Sequence, residues 1–180
     1  MQRRNALILL AATGLLAACG TRPPPAPRAP PLSGPPTGDL GPEDALEAML
    51  AADTDPRRND LVTVALSQVG LPYLWGGRKP LEGFDCSGLV AYVYEQALRM
   101  SIPRVTSEQA RYSTAVDDRD ARAGDLVFYN TLHRDYSHVG LYIGRRRFVH
   151  SPATGAVVRV ERMDGLYWLQ RYNGTRRLLA

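Results

Sequence analysis

Apolar positions along this chain follow two spacings, helical in its first half and alternating in its second. Behind Asp85 they recur as Cys86, Leu89, Val90, Val93, Tyr94 and Ala97. These offsets mark one face of an amphipathic helix that runs to about Arg99, with Asp85 as its N-cap. A second helix is predicted over 61–69, capped by Asn59 or Asp60 and stopped by Gly70, and a short one over 43–52 behind Pro42. Thr106 and Gln109 form a capping box that opens a shorter helix towards Ser113. Strand patterns then take over at 125–129, 139–143, 147–150, 157–162 and about 171–178. Gly144-Arg145-Arg146 joins two of them as a hairpin. Helices first and strands afterwards predict an α+β domain, with N-terminal helices packed on an antiparallel sheet.

The N-terminus carries a different pattern. Met1-Gln2-Arg3-Arg4 is a short basic segment, and the apolar run from Ala6 to Leu16 is too short to span a bilayer as a mature helix. Ending in small residues, residues 1–18 read as a cleaved secretory signal. Leu16-Ala17-Ala18-Cys19 has the form of a bacterial lipoprotein box, which makes Cys19 the expected acylated N-terminus. Gly20 in place of aspartate after it points to the outer membrane, facing the periplasm. Residues 21–42 hold nine of the fourteen prolines and almost no large apolar side chains. Such a segment cannot bury a core and reads as an extended, semi-rigid leash of roughly 70 Å at about 3.1 Å per residue. The expected organisation is therefore a signal at 1–18, a lipidated cysteine and linker at 19–42, and one domain at 43–180. Formal charge is +4 for the 180 residues, and it is scattered rather than gathered on one face. No basic face with groove-reading elements is evident, which argues against nucleic acid as a partner.

With Cys19 anchored, Cys86 is the remaining thiol. A small buried hydrophobe is one reading of it and a nucleophile the other. Its place in the first turn of a helix, among unpaired N–H groups and the positive end of the dipole, predicts a thiol pKa lowered towards neutrality. The N–H groups of Cys86 and Ser87 would face an oxyanion, and Gly88 leaves room behind the sulfur for a substrate backbone. Of the three histidines, His138 opens one hairpin strand and His150 closes the other, so the two can meet across the hairpin as base and orienter. His133 lies in a polar loop and reads as solvated. The three histidines and one free cysteine lack zinc spacing, so neither a metal nor another cofactor is expected.

Six segments in order resemble the motifs of the NlpC family of bacterial cell-wall cysteine peptidases: Pro72-Tyr73-Leu74-Trp75-Gly76-Gly77, Phe84-Asp85-Cys86-Ser87-Gly88-Leu89-Val90, Pro103-Arg104-Val105-Thr106-Ser107-Glu108-Gln109, Gly124-Asp125-Leu126-Val127-Phe128-Tyr129, His138-Val139-Gly140-Leu141-Tyr142-Ile143-Gly144 and Phe148-Val149-His150-Ser151. The resemblance covers about residues 57–179. It implies a papain-like fold with Cys86 as nucleophile, His138 as base and His150 as third member, and Tyr73 beside the oxyanion. The implied substrate is peptidoglycan, cut at amide bonds of stem peptides or cross-links. In some relatives the residues matching Asp85 and Ser87 bind a substrate amine; an N-cap alone accounts for Asp85 equally well. Many relatives carry an SH3-like wall-binding module ahead of this domain. The chain leaves no room for one, and together with the lipid anchor this favours cross-links in intact murein, as in Spr-like lipoproteins. Two other classes stand beside the hydrolase. One is an acyltransferase or amidase on the same fold, against which the absence of a long apolar groove signal argues. The other is a non-catalytic wall-binding lipoprotein, which has no use for Cys86, His138 and His150 together.

Overall fold

The computed structural model describes residues 53–179. The segment 43–52 expected as a helix, Cys19 and the proline-rich leash lie outside the described residues. Helix α1 spans Pro56–Leu66 and starts ahead of the expected position, because Asp55 and Pro56 form the entry. The Asp55 carboxylate accepts the Arg57 N–H at 3.0 Å, and Pro56 stands where no N–H is needed. Asn59, expected as a cap, instead ties down the chain before the helix through both Asp53 backbone groups, each at 2.9 Å.

A two-stranded hairpin of β1 (Arg78–Lys79) and β2 (Gly83–Phe84) leads into α2 (Cys86–Leu98). Asp85 caps α2 by accepting the Gly88 N–H at 2.7 Å, and Arg99 ends it in the left-handed region at φ 54°. Helix α3 (Thr106–Tyr112) follows, but the expected capping box is absent. Val105 is the N-cap without a side-chain bond, and the Gln109 amide donates instead to the carbonyls of Ser87 and Pro103. Gln109 is fully buried there, so its amide is engaged in holding α3 to the start of α2.

The sheet contains β3 (Thr114–Val116), β4 (Leu126–Tyr129), β5 (His138–Gly144), β6 (Arg147–His150), β7 (Arg159–Arg162) and β8 (Tyr172–Arg177). Its order is β3-β8-β4-β5-β6-β7, antiparallel throughout, with one short helix α4 (Leu166–Leu169) between β7 and β8. The expected strand over 157–162 begins later, at Arg159. Val157 and Val158 bond instead to the segment around Pro72, with Val158 N–H to the Leu71 carbonyl at 2.8 Å.

Alternation along the central strands loads both faces. Leu126, Phe128, Val139, Leu141, Ile143 and Val149 meet Leu61, Val62 and Ala65 of α1 and Leu89, Val90, Val93 and Tyr94 of α2. Val127, Tyr129, Tyr142 and Phe148 face the other way, onto Met163 and Trp168. Strand β4 is accordingly buried along its whole length, as is β5 up to its last residue. The β5–β6 hairpin turns through Arg145 and Arg146, both left-handed at φ 48° and 57°. A two-residue turn that matches the twist of the sheet requires that conformation, which arginine adopts only at a cost.

A buried ionic knot ties these layers together. Asp125, 1 % exposed, accepts Arg177 Nε at 2.8 Å and Nη2 at 2.7 Å, Arg58 Nη1 at 3.2 Å and the Arg122 N–H at 2.8 Å. It links α1, the turn before β4, and β8.

Candidate active site

The thiol sits at the N-terminal end of α2 where that helix meets the beginning of β5, and the N–H groups of Val139 and Ser87 are directed at the sulfur. Cys86 is half-buried. Burial, followed by the negative charge of Asp85, pushes its thiol up to about 11, against those N–H groups and the Arg104 guanidinium. The expected lowering towards neutrality is thus corrected: desolvation of the anion outweighs the first-turn N–H groups. Tyr73 stands beside it, held by its N–H to the Ala156 carbonyl at 2.9 Å. Burial and then the neighbouring Cys86 push its phenol up to about 12, so it is a neutral O–H donor at working pH.

Gly88 has a different purpose from the one its position suggested. A Cβ there would lie 2.1 Å from the Gly77 carbonyl oxygen, and one at Gly77 would lie 2.4 Å from the Gly83 carbonyl. The two glycines let the Leu74–Gly77 loop dock on the start of the helix, and the room behind the sulfur is filled by protein. Asp85 closes that dock. Besides the Gly88 N–H it accepts the Gly76 N–H at 2.9 Å and the Ser87 hydroxyl at 3.2 Å. It also forms a two-pronged pair with Arg104 at 2.9 and 2.7 Å. Arg104 in turn donates to Ser87 Oγ at 2.8 Å. The geometry makes Asp85 an N-cap locked by a guanidinium, and an incoming ammonium would have to share it with Arg104. With the Gly88 N–H bound to Asp85 and the Ser87 N–H directed at the sulfur, the Cys86 N–H is the first-turn group left to an oxyanion.

The structure brings the two hairpin histidines together, His138 Nε2 to His150 Nδ1 at 2.7 Å. Both are on the face opposite the helices, His138 at the first residue of β5 and His150 at the last of β6. The register is diagonal rather than directly opposed, since Leu141 pairs with Val149. Trp168 stacks on His138, with centroids 5.8 Å apart and planes 25° apart, and meets His150 edge-on at 5.0 Å; Phe148 also lies 5.0 Å from His150. Enclosed in this way, His138 is held well below its ordinary pKa by burial, then by His150 and Arg159. His150 is lowered by burial too, with Glu161 opposing. Free thiol and free imidazole are therefore both neutral. His133 is exposed in its loop.

Sequence reasoning missed three participants. Trp168 belongs to a one-turn helix with no periodic signal. Arg104 is inside a segment already singled out, yet its pairing with Asp85 spans 19 residues. Glu161 approaches His150 Nε2 with Oε1 at 3.8 Å, which only the β6–β7 register reveals, His150 opposite Arg159 and Phe148 opposite Glu161.

Known proteins resemble this chain in sequence and in fold. The NlpC/P60 family matches residues 70–177. The probable endopeptidase YafL of Escherichia coli K12 is 42 % identical over 116 residues, 63 % of this chain and 47 % of YafL. The murein DD-endopeptidase MepH of the same organism is 37 % identical over 140 residues, 76 % of this chain and 50 % of MepH. The chain thus spans about half the length of these curated relatives. Among solved structures, the NlpC/P60 domain of the peptidoglycan hydrolase SagA superposes with a TM-score of 0.58 at 32 % identity, over 67 % of this chain and 98 % of that domain. With the family match covering more than half its length and carrying the thiol and both histidines, the chain belongs to the NlpC/P60 family.

Proposed function

We propose that this chain is a cysteine-type peptidoglycan endopeptidase that hydrolyses amide bonds in murein stem peptides or cross-links. The observation that carries this reading is the His138–His150 contact at 2.7 Å beside a thiol at a helix N-terminus. His138 uses Nε2 on His150, so its Nδ1 is the nitrogen left for the thiol. In the first half-reaction the Cys86 proton passes to His138 Nδ1 as sulfur attacks the amide carbonyl carbon. The Cys86 N–H, with the neutral Tyr73 hydroxyl, stabilises the oxyanion. The C–N bond breaks as His138 returns that proton to the leaving amine, giving a thioester. Water then attacks the thioester, its proton going to His138 and on to the departing Cys86 sulfur, and a carboxylic acid leaves. Because thiol and imidazole are neutral at rest, charge separates only during attack.

The endopeptidase names of YafL and MepH support the reaction, and MepH's name supports murein as the substrate class. The leash of residues 19–42, acylated at Cys19, would hold the domain near the wall from the outer membrane, on the periplasmic side.

The test is digestion of purified sacculi with mass analysis of the released muropeptides. The wild-type chain should release fragments one water heavier than the bond cut, and Cys86→Ala should lose at least about a thousandfold in rate while keeping its fold. Fragments joined to an added acceptor amine instead of water would mean a transferase. An active Cys86→Ala chain would remove the mechanism.

A further inference from the structure

His150 Nε2 is a buried polar atom at the site that the contacts among Cys86, His138 and His150 leave over. It makes no hydrogen bond among the described residues, although His150 is fully buried. Facing it is Glu161 Oε1 at 3.8 Å, on a carboxylate that is itself 10 % exposed. The same oxygen accepts Arg159 Nε at 2.8 Å, which fixes the carboxylate in place at the edge strand β7. Burial works against the Glu161 anion, but His150 and Arg159 outweigh it and hold its carboxyl below the ordinary value, so it is charged at neutral pH.

A neutral histidine pair joined Nε2 to Nδ1 has two proton arrangements. In one, His138 Nε2–H donates to His150 Nδ1, His150 carries its proton on Nε2, and His138 Nδ1 is a bare lone pair. In the other, His150 Nδ1–H donates to His138 Nε2, His138 carries its proton on Nδ1, and His150 Nε2 is bare. Only the first leaves His138 able to take the Cys86 proton. The second puts an N–H where the base should be, and it aims the Nε2 lone pair at a carboxylate oxygen in a site walled by Trp168 and Phe148. Charge repulsion disfavours that arrangement, whereas an Nε2–H directed at the carboxylate is attractive even beyond hydrogen-bond length.

We propose that Glu161 is a positioning residue: through His150 it keeps the His138 proton on Nε2 and so leaves Nδ1 free as the base. This rests on the hydrolase reading of Cys86 and His138, and it extends the chain to Cys86–His138–His150–Glu161. Arg159 anchors the far end without touching the histidine nitrogens. Arg159 Nε is only a donor, so in Glu161→Gln the amide oxygen must occupy the Oε1 position and still accept from His150. Glu161→Gln should therefore keep the proton arrangement, and Glu161→Ala should not.

Nitrogen-detected NMR on histidine-labelled chains reads the tautomers directly. In the wild-type chain His138 and His150 should both be protonated on Nε2; finding His138 protonated on Nδ1 at neutral pH overturns the proposal whatever the variants do. In Glu161→Ala a His138 Nδ1–H population should appear, with kcat on muropeptides falling roughly tenfold or more at unchanged KM, the pattern of a base held in the wrong tautomer. Glu161→Gln should restore the tautomer and most of kcat. A folded Glu161→Ala chain with wild-type tautomers and kcat would overturn it. If the tautomers shift as described but the wild-type chain releases no muropeptides, the positioning role stands and the hydrolase reading falls.

Discussion

Asp125 and Glu161 are both nearly out of water, 1 % and 9 % exposed, yet they are completed in opposite ways. Asp125 is filled: two arginines and a backbone N–H occupy both its oxygens. Glu161 is held by one arginine and faces a buried ring nitrogen that it does not reach. The first joins helix, turn and strand into one body. The second stands at the end of a chain of proton positions that can be rearranged. A saturated buried charge gives rigidity, and an unsaturated one gives a proton relay a preferred direction.

The largest effect that would test this contrast is on stability. Asp125→Ala leaves Arg58 buried without its counter-charge and should cost about 3–5 kcal/mol in chemical denaturation. The folded fraction should retain wild-type kcat. A comparable stability loss in Glu161→Gln, or an activity loss in Asp125→Ala below its melting range, would break the comparison.

The next effect separates the thiol from both carboxylates. Because the Cys86 thiol is raised from 9.0 to about 11, the folded chain keeps its proton where the unfolded chain has lost it. Its contribution to stability is then fully present below about pH 9 and is lost as pH rises through about 11. Denaturation curves taken across that window for the wild-type chain and Cys86→Ser should converge as pH rises, while tyrosine ionisation affects the two alike. Curves that stay parallel would show the thiol to be unshifted.

The smallest effect sharpens the role of Arg159. Its charge lowers both histidines, so, with His138 as the proposed base that must be neutral to act, Arg159→Gln should move the acid limb of the kcat profile to higher pH, by a fraction of a unit. A shift to lower pH would contradict the placement of Arg159 beside the pair.

What the sequence disclosed and what it withheld divide along range. The helix behind Asp85 and the strands around His138 and His150 were legible because periodicity and capping are local. The meeting of the histidines was legible because a two-residue turn leaves little freedom to the strands it joins. Glu161 was not, because its approach to His150 depends on the register of a third strand across a connection of eight residues, 151–158. The thiol pKa was misread for a related reason. Helix position predicts the dipole, but desolvation depends on how the tertiary fold buries the sulfur. Gly88 looked like space for substrate, and only the fold shows that the Gly77 carbonyl fills it. The capping box at Thr106 failed because a tertiary partner, the start of α2, outcompeted a local one for the Gln109 amide.

The aromatic enclosure of the histidines also equips the molecule with an optical reporter. Its two tryptophans stand in opposite settings, Trp75 at 77 % exposure and Trp168 at 4 %, stacked on His138. An aqueous collisional quencher silences Trp75 and spares Trp168. The emission that survives comes from an indole stacked on the His138 imidazole, its plane 25° away, and protonation of that ring should change its intensity. The charge state of His138 should thus be open to observation by light, without a label and without altering a residue.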